Sequence, residues 1–504
     1  MLSTEPLVGN ADPFSPAEPS PLTAEPFRMS DGTTLALSKK LLLSITPNEL
    51  HIHDDKTNKS KLRSCCGLWA AAAKPLIIPL YNVLYAEVGE STLTIKFATK
   101  VSRTTVKPSS LSYPYEPAHH TVIEEWSTRL LNAAYGESQV RKRFKVIINP
   151  FGGRGSAATI FDKSCRPLLY AANCSLDVQI TEHSGHAIEI AENLDIDAFD
   201  AILCCSGDGV PHEVFNGLAK RPDGMRALKT MAVCQLPGGS GNGMCWNLTG
   251  TGDASAATLS IIKSIRKPLD LISITQGDNR LLSFLSQSFG IIAELDLGTE
   301  DLRWMGSARF TYGLLQRVWK RTVYPCDIAV KVAIDSKDSI REHYRQRGSK
   351  EDAIEYDYHK GLPELKYGDI NSELPEDWQL VHRPNMGNFY AGNMAWMSAG
   401  VNFFPASLPN DGMFDLICVD ATVSRFQIMK MLLLVETGKH FDLPHVSYRK
   451  VLSYRIIPHK RPGVEKEYIS VDGEQIPFGP FQAEVHHGLG TVLAKGHVYE
   501  APGV

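Results

Sequence analysis

The sequence predicts an α/β domain built on a parallel sheet, then a mostly β, antiparallel domain, with a β-rich module ahead of both. Three observations carry this reading. Apolar runs at residues 144–148, 201–205 and 231–236 are each followed at once by a glycine-rich patch. The patches read Asn149-Pro150-Phe151-Gly152-Gly153-Arg154-Gly155, Ser206-Gly207-Asp208-Gly209 and Pro237-Gly238-Gly239-Ser240-Gly241-Asn242-Gly243. A strand running into a glycine turn, repeated, is the grammar of a Rossmann-like sheet whose carboxyl edge forms a ligand crevice. Helical patterns lie between and after these runs, at 186–192 and 254–265, and strand–helix alternation favours a parallel sheet covered on both faces. Beyond residue 278 the texture changes to strand-like runs at 281–286, 327–334, 389–392 and 414–419.

Taken in chain order, residues 1–27 are rich in Pro, Ser, Ala and Glu and have little to bury, so they are expected to be disordered. Residues 28–136 form the first module. Short alternating runs at 35–37, 41–43 and 92–97 read as strands, and 122–131 has a helical pattern. Strands closed by one C-terminal helix resemble a pleckstrin-homology-like (PH-like) module, an analogy of fold that carries no site. The α/β domain spans 140–277. The β-rich domain spans 278–500, with a polar, charged stretch at 335–380 that reads as a surface insertion.

Composition narrows the class. The chain has 504 residues, 43% hydrophobic and 21% charged, which is ordinary for a globular protein of two or three domains. A net charge of −4 gives no basic footprint for nucleic acid. No apolar run approaches the roughly 18 residues of a membrane span, and no signal peptide is expected at the N-terminus. The ten cysteines are scattered, several within apolar runs, and read as buried thiols in a reducing compartment with no CxxC pair for zinc.

Glycine lets the backbone approach a phosphate closely, so that several N–H groups converge on its charge. The first patch lacks the Gly-Lys-Ser/Thr of a Walker loop and departs from the dinucleotide pattern. It reads equally as a phosphate-contacting turn or an ordinary tight one. The second patch is sharper. Asp208 stands between two glycines after an apolar strand, with nothing bulky beside it, and reads as an exposed acid placed to do chemistry; the plainer alternative is a cap on the next helix. The third patch offers N–H groups, a hydroxyl and an amide.

The ordered set GGRGSA, SGDGVPHEVFNGL and PGGSGNG resembles the catalytic domain of the diacylglycerol kinase and sphingosine kinase superfamily. The stretch 290–310, with the elements at 408–412 and 471–474, is similar to sphingosine kinases, and 438–446 to the sphingoid long-chain-base kinases of fungi. The resemblance covers roughly residues 140–490. It implies ATP-dependent phosphorylation of the primary hydroxyl of sphingosine, dihydrosphingosine or phytosphingosine, with Mg²⁺ accompanying ATP. By the match, Asp208 is the catalytic base. Asn149, Gly152, Gly153, Arg154, Gly155, Thr181, Ser206, Gly207, Gly209, Glu213, Gly238, Gly239 and Ser240 fall at nucleotide-contacting positions. Arg303 and Arg309 match arginines that reach the ATP phosphates, where a planar cation can hold oxygens bidentately. Asp472, Gly473 and Glu474 match a motif near the nucleotide and Mg²⁺, and the metal ligands themselves stay unassigned. Asp296 matches the acid that holds the substrate head group, with Glu300 a second acceptor one helical turn on. A sphingoid base carries an ammonium, which a carboxylate pairs with; ceramide and diacylglycerol lack it. Gly243 stands where alanine is common among relatives, which reads as a slightly looser loop.

A ceramide or diacylglycerol kinase, an NAD kinase and a non-catalytic lipid-sensing adaptor remain as alternatives. The lipid tail needs an apolar cleft, with candidate walls at Phe284, Leu285, Ile291, Leu314, Leu315, Val318, Phe389, Met394, Met429, Leu432 and Leu433, the last three in an apolar helical stretch at 429–434 that would line or cover the tail. The expected setting is cytoplasmic, with peripheral contact on intracellular membranes through Lys39, Lys40 and the stretch 59–69, where Cys65 and Cys66 are candidates for acylation. Whether the chain forms a homodimer is left open.

Overall fold

The computed structural model describes residues 29–30, 32–38, 40–54, 75–153, 155–298, 319–347 and 361–504. The strands Arg143–Ile148, Ala201–Ser206 and Ala232–Pro237 each end at a glycine patch and lie side by side, parallel, with Ser175–Ile180 on the outer edge. Their side chains alternate between two cores. Val146, Leu203, Cys205 and Leu236 face one cluster with the helix Ala254–Lys263. Ile147, Ile202, Cys204 and Val233 face the other, with Val214 and Leu218 of the helix Gly209–Lys220. Burial on both faces is why these strands read as unbroken apolar runs.

The sheet does not stop where the parallel strands end. The long C-terminal strand Phe481–Ala494 runs parallel to Ala232–Pro237 and antiparallel to Ile265–Gln276. Through it the sheet continues into the antiparallel strands Ser447–Pro458, Phe414–Asp420, Met386–Gly392, Ser286–Gly290, Ile469–Val471 and Glu474–Ile476. One fifteen-stranded sheet therefore runs through both the α/β and the β-rich halves.

Two local expectations are corrected. The run 281–286 is two strands, Asn279–Ser283 and Ser286–Gly290, broken at Phe284 and Leu285. The Asp472 carboxylate accepts hydrogen bonds from the N–H groups of Phe284, Leu285 and Ser286 and turns the chain there. The polar stretch 335–380 is also more structured than a plain surface insertion. It contains the helix Lys337–Arg347 with Ile340 fully buried, and further on Trp378 is buried while Glu484 accepts from the N–H groups of Lys366 and Tyr367.

The N-terminal module has a five-stranded antiparallel meander and a three-stranded sheet, closed by the helix His120–Tyr135. Ile123, Trp126 and Leu130, spaced three and four apart, are fully buried, and Trp126 Nε1 donates to Thr33 O at 3.1 Å. The module shares its core with the parallel sheet. Thr105 donates to Asp253 at 2.8 Å, and Val106 N to Ser255 Oγ at 2.9 Å. Lys263 Nζ donates to Ala134 O and lies 3.4 Å from the Tyr135 ring centre. Burial pushes the Lys263 amine down to about 7. The eight described cysteines are buried and not in disulfides.

Candidate active site

The three glycine patches meet at the carboxyl edge of the parallel strands, backbone against backbone. A Cβ on Gly239 would lie 2.3 Å from Gly207 Cα, and one on Gly153 would lie 3.0 Å from Gly238 O. Only glycine permits that approach. Asn242 fixes the third turn. It sits in the left-handed region at φ 58°, its Oδ1 accepts from Gly239 N at 2.8 Å, and its Nδ2 donates to Gly239 O at 3.0 Å. Among the described residues, the N–H groups of Gly153, Gly209, Ser240 and Gly241 donate to no protein acceptor. They are among the donors available to an anion, and a phosphate fits such a set.

Asp208 follows the strand Ala201–Ser206, and its environment corrects the picture of an exposed acid. It is half-buried, and it does not cap its own helix. Its two oxygens accept instead from Gly243 N at 2.9 Å and Met244 N at 3.0 Å, the first donors of the helix Gly243–Thr249. Burial raises the Asp208 carboxyl above the ordinary aspartate value, and the two N–H bonds offset part of the rise. Gly243 is needed at this junction. A Cβ there would meet Leu285 Cδ1 and the carbonyls of Met397 and Trp396, each at 3.1 Å, so the glycine tightens the contact and does not loosen a loop. Gln235 links the second and third turns from beneath, donating to Ser206 O and accepting from Cys245 N.

Other predicted positions are engaged within the turns. Asn149 Oδ1 accepts from Phe151 N, Ser206 Oγ donates to Gly207 O, and the buried Thr181 donates through its N–H to Ile148 O. Gly155 N closes a turn on Gly152 O. Glu213 is engaged on a neighbouring element: its oxygens accept from Gly185 N at 3.0 Å and Ala187 N at 3.1 Å, at the start of the helix His186–Glu192. Arg154, Arg303, Arg309 and Glu300 lie outside the described residues, as do Lys39 and the stretch with Cys65 and Cys66.

Asp472 is the joint between the two halves. It is buried and holds φ 54°. Oδ1 accepts from Ser283 Oγ at 2.6 Å and from Leu285 N and Ser286 N, both at 2.9 Å. Oδ2 accepts from Phe284 N at 3.0 Å and pairs with His212 Nδ1 at 2.8 Å. His212 lies on the helix that begins just after Asp208. Burial opposes its charge, but Asp472 outweighs that and raises the imidazole above its ordinary value. The turn then aims Glu474 back at the glycine patches. Its Oε1 lies 2.6 Å from where a Cβ on Gly209 would sit, and the side chain is exposed.

Asp296, on the helix Ile291–Leu297, is tied to the same turn. Its Oδ2 accepts from Ser470 Oγ at 2.9 Å and faces Gly473, 3.8 Å from that residue's Cβ position. Tyr390 sits among the acids. Burial raises its phenol above the ordinary value, and the charges of Asp296, Asp472 and Asp208 all add to the rise. The structure thus gathers Asp208, Asp472, Glu474 and Asp296 around one turn. The tail-wall candidates do not converge in the same way. Phe284, Leu285 and Met394 belong to one core and Phe389 to another, while Leu433 is 78% exposed; Leu314, Leu315 and Val318 lie outside the described residues.

Sequence reasoning missed Tyr390, Asn242, His212 and Gln235 as site residues. Gln235 had a signal, a lone amide inside an apolar run, and so had His212, one helical turn after Asp208. Tyr390 had none. Among the described residues one cluster has metal-ligand make-up, Asp327 with His382 and His459, and it lies on strands away from the glycine turns. Among the described residues no helix is long and apolar enough to cross a membrane.

A phosphate cradle of three glycine turns, with an acid at its centre and an antiparallel half closing over it, defines a kinase of the diacylglycerol kinase type. Residues 143–274 match the diacylglycerol kinase catalytic domain, and 377–494 match the YegS C-terminal NAD kinase beta sandwich-like domain. Residues 33–136 match a domain of unknown function. The chain is 31% identical over 449 residues to sphingoid long chain base kinase 4 of Schizosaccharomyces pombe, covering 88% of this chain and 94% of that protein. It is 36% identical over 443 residues to sphingoid long chain base kinase 5 of Saccharomyces cerevisiae, covering 77% of this chain but 64% of that longer protein. With human sphingosine kinase 1 it shares 30% identity over 358 residues, 68% of this chain and 88% of that one. The chain belongs to the sphingosine kinase, or sphingoid long-chain-base kinase, family.

Proposed function

We propose that this protein transfers the terminal phosphoryl group of ATP to the primary hydroxyl of a sphingoid base, giving the 1-phosphate. The observation that carries the reading is the single turn at residues 470–474, which sets Asp296 beside Gly473 and Glu474 beside Gly209, next to Asp208. The N–H groups at the glycine turns hold the phosphates. Asp208 takes the proton of the acceptor hydroxyl, its raised carboxyl making it a better base than an ordinary aspartate. Phosphoryl transfer asks mainly for alignment and charge stabilisation, which rigid, interlocked turns supply. Asp296 meets the ammonium of the base. Mg²⁺ would offset charge on the phosphates. Glu474, exposed and facing Gly209, is the acid that fits its neighbourhood, whereas Asp472 is saturated by five donors.

The division at 140–277 and 278–500 follows the two chemical tasks, nucleotide and lipid, on one sheet. The N-terminal module reads as PH-like from its two small sheets and closing helix. The substrate is a membrane lipid, so the enzyme works as a cytoplasmic protein visiting a membrane surface.

The test is a panel of sphingosine, dihydrosphingosine, phytosphingosine, ceramide, diacylglycerol and NAD with purified protein and Mg-ATP, run beside Asp208→Asn. Turnover on the free bases alone is expected, with Asp208→Asn losing about a thousandfold or more while nucleotide binding survives. Phosphorylation of ceramide alone, or full turnover by Asp208→Asn, overturns the reading.

A further inference from the structure

The helix Arg425–Val435 carries its apolar residues on the wrong side for a protein in water. It begins on a complete capping box, with Ser424 Oγ accepting from Gln427 N and Gln427 Oε1 accepting from Ser424 N, so its first turn is well held. Met431 and Val435 face inward, onto a cluster that contains Tyr390, Phe403, Phe404 and Ile417, with Ile292 packed against it. That inner face would satisfy an ordinary surface helix, whose other face is polar. Here Phe426 is 80% exposed, Leu433 78% and Met429 37%, at spacings of three and four residues, which places all three on one outward stripe. A single exposed leucine needs no explanation; three large apolar side chains in helical register do.

The surroundings extend the stripe and charge it. Trp319, 72% exposed, adjoins the start of the helix: Arg425 lies over its ring at 4.7 Å and donates to its carbonyl at 2.6 Å. Exposed Lys320 and Arg321 follow Trp319, and Lys430 lies on the stripe itself. The result is a patch of protruding aromatic and aliphatic side chains with Arg425, Lys320, Arg321 and Lys430 around its first turns and the exposed Glu436 at its far end, four cations to one acid on a chain whose net charge is −4.

We infer that this stripe, Phe426, Met429 and Leu433 with Trp319, is the surface that inserts into an anionic lipid membrane, its basic rim meeting the headgroups. Two observations favour a lipid surface over a second copy of the chain. Phe426 and Leu433 stand almost wholly clear of the protein, 80% and 78% exposed, which suits insertion into a fluid phase. A two-fold pairing of the helix on itself would also bring the cations of the patch against their own copies. The position fits the proposed reaction, on which this inference rests. Met431 and Val435 of the same helix share one core cluster with Tyr390, and Ile292 of the Asp296 helix packs against that cluster, so the membrane would lie on the side of the protein where the lipid head group is held.

The experiment is co-sedimentation of the full chain with vesicles of phosphatidylcholine, with and without phosphatidylserine, for wild type, Phe426→Gln and Phe426→Gln/Leu433→Gln. Each lost insertion is expected to weaken partitioning about tenfold, so the double variant falls by about a hundredfold. Binding should require phosphatidylserine and weaken with added salt. Phe426→Gln should melt as wild type does and keep its turnover on substrate dispersed in detergent. Sedimentation velocity on the same samples reads the competing occupant. Unchanged vesicle binding by the double variant, or loss of a dimer with vesicle binding intact, overturns the inference. The partition is read without any turnover, so failure of the kinase assignment would appear separately, as inactivity on every base with vesicle binding preserved.

Discussion

Replacing Asp472 by Asn changes one atom at the joint of the molecule, and its cost can be worked from the contacts. The carboxylate serves five donors, three on Oδ1 and two on Oδ2. An asparagine keeps most by presenting its oxygen to Ser283, Leu285 and Ser286. Its NH₂ then faces Phe284 N–H, leaving a buried donor without an acceptor at a cost of about 1–3 kcal/mol. The three surviving bonds lose their charge assistance, roughly 0.5 kcal/mol each. The total is about 2.5–4.5 kcal/mol. His212 adds a pH signature. Asp472 raises its folded pKa above the ordinary value of 6.5, so its contribution to stability is fully present below about pH 6.5 and is lost as pH rises through the folded pKa. Thermal melts of wild type and Asp472→Asn, followed on both sides of that pH, should show a lower midpoint for the variant, with the gap narrowing as pH rises. Equal midpoints at every pH would refute the accounting.

Three further outcomes follow from the geometry. Gly239→Ala places a Cβ 2.3 Å from Gly207 Cα, and backbone cannot swing aside; it should cost about 2 kcal/mol and abolish nucleotide binding by titration calorimetry. Asp296→Asn removes the charge that meets the ammonium, about 2 kcal/mol or roughly thirtyfold in KM for the sphingoid base, with KM for ATP unchanged. Lys263 has its folded pKa depressed to about 7, so the unfolded chain binds the extra proton between about 7 and 10.5. Wild-type stability should therefore climb with pH across that window by at most about 1.4 kcal/mol per pH unit from this group, and Lys263→Met should lose that slope in pH-dependent melts.

The parallel half was legible because its residues follow rules of short range. Residues 144–148, 201–205 and 231–236 are apolar on both faces, and glycine ends each one. The closure of the sheet was not legible. Phe481–Ala494 pairs with strands more than two hundred residues earlier, and nothing within its own sequence names those partners. The break at Phe284 was hidden for the same reason, since its cause, Asp472, lies 188 residues away. The site divides along the same line. The glycine turns could be read locally. The engagement of Asp208 by the helix of Gly243, and the place of Tyr390 among three acids, depend on contacts that only the folded chain makes.

Counting acceptors separates the acids that the motifs alone leave equivalent. A carboxylate offers about four lone-pair positions. Asp472 meets five donors, so it has nothing left for a proton or a metal, and its position next to the reaction is architectural. Glu213 spends an oxygen on each of two N–H groups at a helix start. Asp208 also accepts two N–H bonds, and there the difference is electrostatic. Burial has raised its carboxyl, so the anion keeps an affinity for a proton that an exposed aspartate lacks. The two N–H bonds, one on each oxygen, hold the carboxylate in one direction. A base for a hydroxyl needs both properties, a fixed lone pair and a proton affinity above that of bulk aspartate. The helix that begins at Gly243 supplies the first and burial the second. That pairing explains why the third glycine patch must end where it does, two residues before Cys245 closes on Gln235.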